Sequence, residues 1–337
     1  MPTKSYSFAS LSDPLATTGT FAQGINDKGQ IVGYYFDNSG GAHGFRYSGG
    51  SYTPIDFQPG TNQTFPEGIN DKGQIVGWYN DRSSDHGFLY SGGTYTTLDD
   101  PSATVSTVAR DINDKGQVVG YYQNGLPGGG LANHGFFYDG GTYTTLDDPL
   151  AFIPAGGSGT ADGTVALGIN DKRQIVGYYY DGGGSAHGFL YNKGSYVTLD
   201  DPLGVDGTFA TGINDKGQTV GYYFDNLHIQ HGFLYSDGAY TTLDDPLGAE
   251  GTYATGINGK GQIVGYYIDS TGVEHGFLAN PAGHQKAPDS ADTGIALLNQ
   301  YAAAGFQSET DNGGSLDSAS AQVDSCGEDK FLATPHQ

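Results

Sequence analysis

The sequence is poor in cysteine, in basic residues and in long apolar runs. Its 337 residues include one cysteine, Cys326, so neither an intramolecular disulfide nor a paired-cysteine zinc site can form. There are 14 Lys and Arg against 37 Asp and Glu, a formal net charge of −23. This balance argues against nucleic acid and anionic membrane surfaces as partners. No apolar run approaches the ~18 residues of a membrane-spanning helix, so we expect no membrane insertion.

The sequence also lacks the motifs that mark well-known catalytic centres. It contains no nucleophile elbow, no His-Glu-x-x-His, no phosphate-binding P-loop and no dinucleotide fingerprint. Calcium loops of the Asp-x-Asp-x-Asp type are absent as well. We therefore predict no catalytic residue from motifs.

The ends of the chain differ in composition from its middle. Residues 1–6 have no apolar core of a secretory signal, and we expect none. Residues 284–337 are rich in Ser, Asp, Gly and Ala, which predicts a flexible acidic tail with one short helix candidate at 294–306. Such a chain is typical of signal-less bacterial export, with a cytoplasmic protein as the alternative. The tail is either an export signal or anchor, or an unselected extension.

Residues 1–283 consist of one phrase repeated six times. Each copy reads much like Gly-Ile-Asn-Asp-Lys-Gly-Gln-Ile-Val-Gly-Tyr-Tyr, then His-Gly-Phe, then Tyr-Thr-Thr-Leu-Asp-Asp-Pro. The Asn of each copy is Asn26, Asn70, Asn113, Asn170, Asn214 and Asn258. A spacing of 43–57 residues predicts one supersecondary unit per copy.

Each copy contains four short runs rich in β-branched and aromatic residues, separated by turn residues. Four antiparallel strands in a unit of this length are typical of a propeller blade. The sixth copy lacks its last strand, and residues 6–14 supply a matching one before the first copy. We predict an all-β, six-bladed β-propeller whose last blade is closed by the N-terminal strand, because closure removes exposed sheet edges. A two-sheet sandwich is the alternative.

The repeat resembles a known bacterial family. Gly-Ile-Asn-x-x-Gly-Gln-Ile-Val-Gly followed by His-Gly-Phe-Leu-Tyr is similar to the extracellular HAF-family repeat, with Gly in place of Ala in His-Ala-Phe. The similarity recurs six times and covers nearly all of residues 1–283. It implies a repeat protein and no particular activity.

Acidic residues and histidines collect at one end of the predicted strands. Each repeated His is expected opposite the Asp that ends the previous strand. Such pairs could bind transition metals or polar ligands, or each imidazole could simply lock its hairpin; six identical copies favour the second interpretation. The neighbouring Tyr residues are expected to pack between blades, or to stack on sugar rings where they reach the surface. The ligand-binding candidates are Tyr35, Asp37, His43, Tyr79, Asp81, His86, Tyr179, Asp181, His187, Tyr223, Asp225, His231, Tyr267, Asp269 and His275.

One asymmetric set of charges interrupts the repeat. Glu67, Arg110 and Asp111 are the charged residues of the predicted inner strands, and they lie on adjacent copies. They form either a single site at the mouth of a central channel or an ion pair that fills it. The third and fourth copies also carry insertions, at 123–133 and 151–163.

These features favour a non-enzymatic, multivalent binding propeller for carbohydrate or another small polar ligand, because repeated sites bind with avidity. One alternative is a metal-dependent hydrolase or lactonase working at the channel mouth. Another is a protein-interaction scaffold. No cofactor is certain from the sequence, and calcium or another divalent cation is the candidate.

Overall fold

The computed structural model describes residues 5–57, 63–153 and 162–282. Within these ranges the chain forms 24 strands joined by turns, and no helix. None of the described segments is therefore a helix long and apolar enough to cross a membrane. The predicted tail at 284–337, and most of the insertion at 151–163, lie outside the described residues.

The strands follow the repeats in groups of four. Repeat 1 contains β2 (Thr20–Ile25), β3 (Ile31–Phe36), β4 (Ala42–Ser48) and β5 (Ser51–Pro54). Repeat 2 contains β6 (Gln63–Ile69), β7 (Ile75–Asn80), β8 (Asp85–Ser91) and β9 (Thr94–Leu98). Repeat 3 contains β10 (Ser106–Ile112), β11 (Val118–Gly125), β12 (Leu131–Asp139) and β13 (Thr142–Leu146).

The second half of the chain has the same order. Repeat 4 contains β14 (Asp162–Ile169), β15 (Ile175–Tyr180), β16 (Ala186–Asn192) and β17 (Ser195–Thr198). Repeat 5 contains β18 (Thr208–Ile213), β19 (Thr219–Phe224), β20 (Gln230–Ser236) and β21 (Ala239–Thr242). Repeat 6 contains β22 (Gly251–Ile257), β23 (Ile263–Ile268) and β24 (Glu274–Pro281), and its fourth strand is β1 (Tyr6–Leu11).

Consecutive strands within a repeat pair antiparallel, and short parallel bridges join the repeats two by two. The bridges link β4 to β6, β12 to β14 and β20 to β22. The result is three eight-stranded sheets. The all-β architecture agrees with the prediction, whereas three sheets do not by themselves confirm a count of six blades.

The N-terminal strand completes the last repeat. β1 pairs antiparallel with β24 from Tyr6 opposite Pro281 to Leu11 opposite Gly276. Phe8 packs edge-to-face on Phe277, with ring centroids 5.4 Å apart. This pairing confirms the expectation that the strand missing from the sixth copy comes from the other end of the sequence.

The repeated Asn shapes each turn between the first two strands. In repeat 1 the Asn26 carbonyl accepts a hydrogen bond from Gly29 N at 3.0 Å, and Gly29 has a positive φ of 74°. The Asn26 Oδ1 accepts from the backbone N–H groups of Lys28 and Gln30 at 3.1 and 2.9 Å. These are the turn and the side-chain-to-backbone bonds that the Asn-Asp-Lys-Gly sequence predicts.

The same six asparagines also join the repeats into a ring. Each Asn Nδ2 donates to the backbone carbonyl of the Asn in the following repeat at 3.0–3.1 Å, and Asn258 donates back to Asn26. All six side chains are buried, with 3–5 % exposure. A closed circle of this kind is incompatible with the alternative of a two-sheet sandwich.

The core lies between the repeats and within each sheet. The Phe of every His-Gly-Phe is almost fully buried: Phe45, Phe88, Phe136, Phe189, Phe233 and Phe277. The Gly of each Ile-Val-Gly permits the first two strands to approach closely, since a Cβ at Gly33 would lie 1.9 Å from the Phe21 carbonyl oxygen. Residues from the first strand of every repeat line a central cavity.

Candidate functional site

The loops divide between two ends of the strands, which we name by their repeated residues. The Asn face carries the turns at the six ring asparagines, and the exposed lysines of these turns: Lys28, Lys72, Lys115, Lys172, Lys216 and Lys260. The His face carries the loops after the second and fourth strands, with the repeated His and most of the paired Asp. The lysines and the His-bound carboxylates therefore lie on opposite faces.

Every repeat places its His against a carboxylate, and four repeats hold it between two. In repeat 4, His187 Nδ1 lies 2.8 Å from Asp200 Oδ2, and its Nε2 lies 3.5 Å from Asp181 Oδ2. The same arrangement holds His43 between Asp37 and Asp56, His86 between Asp81 and Asp99, and His231 between Asp225 and Asp244. The predicted contact of His with the Asp of the preceding strand end is confirmed in these repeats.

The second carboxylate was missed by the sequence interpretation. It belongs to the first Asp of Asp-Asp-Pro, or to Asp56 in repeat 1, and it engages the imidazole Nδ1 at 2.8–3.3 Å. The sequence did carry a signal for this contact, because repeat 6 departs from the pattern. Repeat 6 has Ser12 at this position, and its His275 contacts Asp269 Oδ2 at 3.0 Å. Repeat 3 is the converse case, because Asn124 replaces the loop Asp and His134 retains Asp147 at 2.9 Å.

The Tyr of each cluster lies beneath the imidazole rather than at the surface. Tyr and His rings lie near-parallel in all six repeats, with centroids 5.1–5.4 Å apart. The tyrosines Tyr35, Tyr79, Tyr122, Tyr179, Tyr223 and Tyr267 are only 3–9 % exposed. The packing interpretation is correct for these residues, and their faces are closed to a sugar ring because the His covers them.

The two acids of Asp-Asp-Pro have different environments. The first is partly exposed on the His face, whereas the second is buried at 3–5 % exposure in each of five repeats. In repeat 4, Asp201 Oδ1 accepts from Leu203 N at 2.9 Å, and its Oδ2 has no hydrogen-bond partner among the described residues. Burial raises the pKa of Asp201, as it does for Asp13, Asp148 and Asp245.

The carboxylates around the imidazole favour its charged form. Burial alone would lower the pKa of His187, but hydrogen bonds to Asp200 and Asp181 and their negative charges raise it above the ordinary value. The pKa of Asp181 is lowered, chiefly by backbone hydrogen bonds from its own loop and in part by His187. In repeat 4 this face therefore presents an imidazole between two carboxylates that favour its protonated form.

We expect His187→Ala to lower the free energy of unfolding by about 1 kcal/mol at pH 5.5, because a partly exposed ion pair and two hydrogen bonds are lost. The pKa of His187 is higher in the folded than in the unfolded protein. The stabilisation that depends on its charge is therefore complete below the unfolded pKa of about 6.5 and disappears as pH rises through the folded pKa. The difference between parent and variant should therefore shrink from pH 5.5 to pH 9 in urea titrations.

The matched control for that prediction is His228→Ala. His228 pairs with Asp206 at 2.8 Å, but its side chain is 70 % exposed, so its removal should change stability little at any pH. A gap for His187→Ala that widens with rising pH would contradict the ion-pair interpretation.

The asymmetric charges of the inner strands meet in the central cavity. Arg110 Nη1 donates to Glu67 Oε1 at 3.0 Å, and Trp78 Nε1 donates to the same oxygen at 3.1 Å. The Glu67 side chain is 5 % exposed and the Arg110 side chain 27 % exposed. The structure thus joins two of the three predicted residues across neighbouring repeats.

Asp111 belongs to the backbone rather than to that pair. Its Oδ1 accepts from Ile112 N at 2.8 Å and its Oδ2 accepts from Ile169 N at 2.9 Å. Burial raises its pKa to about 7, against the lowering effect of those two N–H groups and Arg110. Asp111 lines the same cavity as Glu67 and Arg110, but its carboxylate oxygens bond to the backbone of repeats 3 and 4 instead of joining the ion pair.

An aromatic wall surrounds the ion pair. The cavity of about 340 Å³ is lined by one aromatic residue from the second strand of each repeat: Tyr34, Trp78, Tyr121, Tyr178, Tyr222 and Tyr266. First-strand aromatic residues fill the gaps between most of these rings, with neighbouring centroids 3.9–4.9 Å apart. In repeats 3 and 4 the first strand has Val108 and Val165 instead, next to Arg110.

Metal ligation finds no support in the described ranges. Among residues 5–57, 63–153 and 162–282, no group of three or more His, Cys, Asp and Glu side chains could hold a metal ion. The predicted calcium or other divalent cation has no assigned position.

Comparison with known families gives a partial match. Residues 90–207 match a family model described as a protein of unknown function, DUF3466. The match covers roughly a third of the chain. No curated protein matches the sequence. The resemblance to the HAF-family repeat is not confirmed by these comparisons.

Solved structures resemble the chain at low identity. AofleA from Arthrobotrys oligospora is 14 % identical with a TM-score of 0.50, covering 82 % of this chain and 86 % of its own. A mutant of Aleuria aurantia lectin in complex with Fucalpha1-6GlcNAc is 13 % identical with a TM-score of 0.49, covering 81 % and 98 %. The β-propeller domain of the Trilobed protease from Pyrococcus furiosus is 12 % identical with a TM-score of 0.48, covering 81 % and 82 %. At these identities the similarity concerns the fold alone, which is all-β and propeller-like.

Proposed function

We propose that this chain is a non-enzymatic binding propeller that captures carbohydrate through several near-equivalent sites on its His face. The observation that carries the proposal is the fourfold recurrence of an imidazole held between two carboxylates, with 25–35 % of the His side chain exposed. Carboxylate oxygens accept hydrogen bonds from sugar hydroxyls, and charged acceptors form the stronger bonds.

The proposal includes a blade count. We propose that each four-stranded antiparallel group is one blade, giving six blades and a last blade shared between β1 and β22–β24. The circle of asparagine bonds supports this count, because it passes once through every repeat and returns to its start. The parallel bridges that unite blades in pairs involve only one or two residues of each strand.

Repetition of the cluster has a predictable consequence for binding. Sites on one rigid face engage a branched or polymeric glycan together, so the second contact forms at a high effective concentration. Each site alone is then expected to be weak, whereas a multivalent glycan is retained strongly.

The test is a glycan array probed with the labelled chain, with calcium present and with a chelator. We expect multivalent glycans to be retained, and titration with the matching free sugar to give several sites per chain. Comparison of glycan binding in calcium with glycan binding in the chelator decides whether a divalent cation is required for binding.

Comparison of two double variants tests whether glycans bind to the His face. Asp181→Asn with Asp200→Asn removes both carboxylates of one cluster and should reduce the number of sites by one. Asp237→Asn with Asp139→Asn makes the same charge change at the strand turns of the Asn face and should leave binding unchanged. A single site per chain, or retention of no glycan at all, would contradict the proposal.

A further inference from the structure

The central cavity contains donors that its own walls do not satisfy. Arg110 makes one hydrogen bond to the described residues, from Nη1 to Glu67. Its Nε and Nη2 donate to no atom of the described residues, although the guanidinium has five N–H donors in a planar fork. The Arg110 side chain is 27 % exposed and lines the cavity, and a guanidinium in such surroundings is suited to an acceptor that approaches in its plane.

The Glu67 carboxylate orients this fork. Glu67 Oε1 accepts from both Trp78 Nε1 at 3.1 Å and Arg110 Nη1 at 3.0 Å. Because one nitrogen of Arg110 is held, its remaining edge has a defined direction. The pair is therefore a preorganised donor rather than a mobile surface charge.

The surroundings of Arg110 fit a ring-shaped molecule. Half-buried aromatic residues from all six repeats line the cavity, and Val108 and Val165 leave more room beside Arg110 than the Phe or Tyr found in the other repeats. Aromatic faces stack on the apolar faces of sugars and on aromatic rings. The cavity volume of about 340 Å³ is at the small end of ligand pockets, which admits one monosaccharide-sized molecule.

Repeats 5 and 6 show what a purely structural residue looks like at the same position. Thr211 Oγ1 lies within hydrogen-bond distance of the Val220 and Ala254 carbonyl oxygens, at 3.1 and 2.8 Å, and Thr255 Oγ1 of the Ala22 and Val264 carbonyl oxygens, at 2.9 and 3.1 Å. A short hydroxyl is thus enough to tie neighbouring repeats together here. The longer pair Glu67 and Arg110 reaches into the cavity instead.

We propose that the central cavity is a single binding site for a small ring-bearing carboxylate, which Arg110 binds through its free edge and the aromatic wall stacks against. Sugar acids and aromatic acids share this chemistry. The site is separate from the clusters of the His face, so it neither requires nor excludes glycan binding there.

The chain contains its own reporter for this site. Trp78 is the single tryptophan of the sequence, and it lines the cavity and bonds to Glu67. Titration of the full chain with glucuronate and with benzoate, while tryptophan emission is recorded, should give a saturable change for at least one of them. Glucose and benzyl alcohol, which lack the carboxylate, should give at least tenfold weaker responses.

Two variants test whether the ion pair of Glu67 and Arg110 is responsible for the binding. Glu67→Thr with Arg110→Thr installs the residue that repeats 5 and 6 carry, so the melting temperature should stay near that of the parent. Binding of the responding acid, measured by calorimetry, should fall at least tenfold. Arg110→Lys keeps the charge without the planar fork and should bind with intermediate strength.

The outcomes separate clearly. Response to glucuronate alone indicates a sugar acid, response to benzoate alone indicates an aromatic acid, and either supports the proposal. No saturable response to either acid up to about 10 mM overturns it, as does equal binding of the neutral partners. Unchanged binding by the folded double-threonine variant also overturns it. The comparison of acids with neutral partners uses the parent protein, so it decides the matter even if the double variant fails to fold.

Discussion

Deleting residues 1–14 should abolish the monomeric fold or lower the free energy of unfolding by roughly 5 kcal/mol. The deletion removes β1 and with it the buried Leu11 and the partly buried Tyr6 and Phe8. Full burial of a large apolar side chain such as Leu11 contributes about 1.5–3 kcal/mol, and partial burial contributes less; the sum approaches the total stability of many domains, about 5–15 kcal/mol.

The deletion also exposes an edge. Without β1, the backbone groups of β24 from Gly276 to Pro281 lose their partners, and Phe277 loses its cover. An uncovered apolar edge promotes pairing between molecules, so size-exclusion chromatography should show aggregates. Thermal melting monitored by circular dichroism gives the stability.

Two controls distinguish strand loss from a general effect of truncation. Deleting residues 1–4 leaves β1 intact and should change nothing. A synthetic peptide of residues 5–14 should bind the truncated chain by adding the missing strand and should restore its melting temperature. A truncated chain that melts like the parent would refute the role of β1 in closing the ring.

Asn214→Ala should lower the free energy of unfolding by roughly 3–5 kcal/mol, because a buried side chain serves four hydrogen bonds. Asn214 Oδ1 accepts from the backbone N–H groups of Lys216 and Gln218, and its Nδ2 donates to Gln218 Oε1 and to the Asn258 carbonyl, all at 3.0–3.1 Å. Each buried group left without a partner costs about 1–3 kcal/mol. Urea titration followed by fluorescence measures the loss.

Further substitutions divide that loss between the turn and the ring. Asn214→Asp retains the oxygen that caps the turn but loses the donor Nδ2, so its cost reports on the bonds to Gln218 Oε1 and to the Asn258 carbonyl together, plus the burial of a carboxylate. Asn226→Ala, in an exposed loop of the same repeat, should have little effect. If the Ala variant at 214 were as stable as that at 226, the asparagine circle would be dispensable.

Much of this architecture could be predicted from the sequence because the same local pattern recurs in six repeats. The turn chemistry of Asn26 and Gly29, the four strands per repeat and the completing strand at residues 6–11 all depend on local signals. The pairing of His43 with Asp37 also follows locally, since a hairpin places them side by side.

The contacts between repeats could not be predicted, since they depend on how whole sheets pack. Nothing local to Asn26 indicates that its Nδ2 reaches the Asn70 carbonyl. For the same reason the Asp-Asp-Pro motif does not distinguish its two acids, yet Asp200 contacts His187 and Asp201 is buried.

The charged residues of the inner strands show most clearly which contacts the sequence could not predict. Glu67, Arg110 and Asp111 stood out together, but Arg110 lies at a β-bulge, and its side chain and that of Asp111 have different partners. Arg110 reaches Glu67 in the cavity and Asp111 reaches the Ile169 backbone. The bulge sits where the register shifts between Ala109 and Asp111, a detail that composition does not encode.

Closure by β1 also sets an order of events during synthesis. Its partner β24 lies near residue 280, so the first strand leaves the ribosome some 270 residues before the segment it must pair with. At a synthesis rate of about 5–20 residues per second, β1 waits for tens of seconds. Repeats 1 to 5 can assemble in sequence during that interval, because each contains its own four strands. The sixth cannot, so its completion requires β1 to pair with a segment that is made about 270 residues later, and such non-local pairings form slowly.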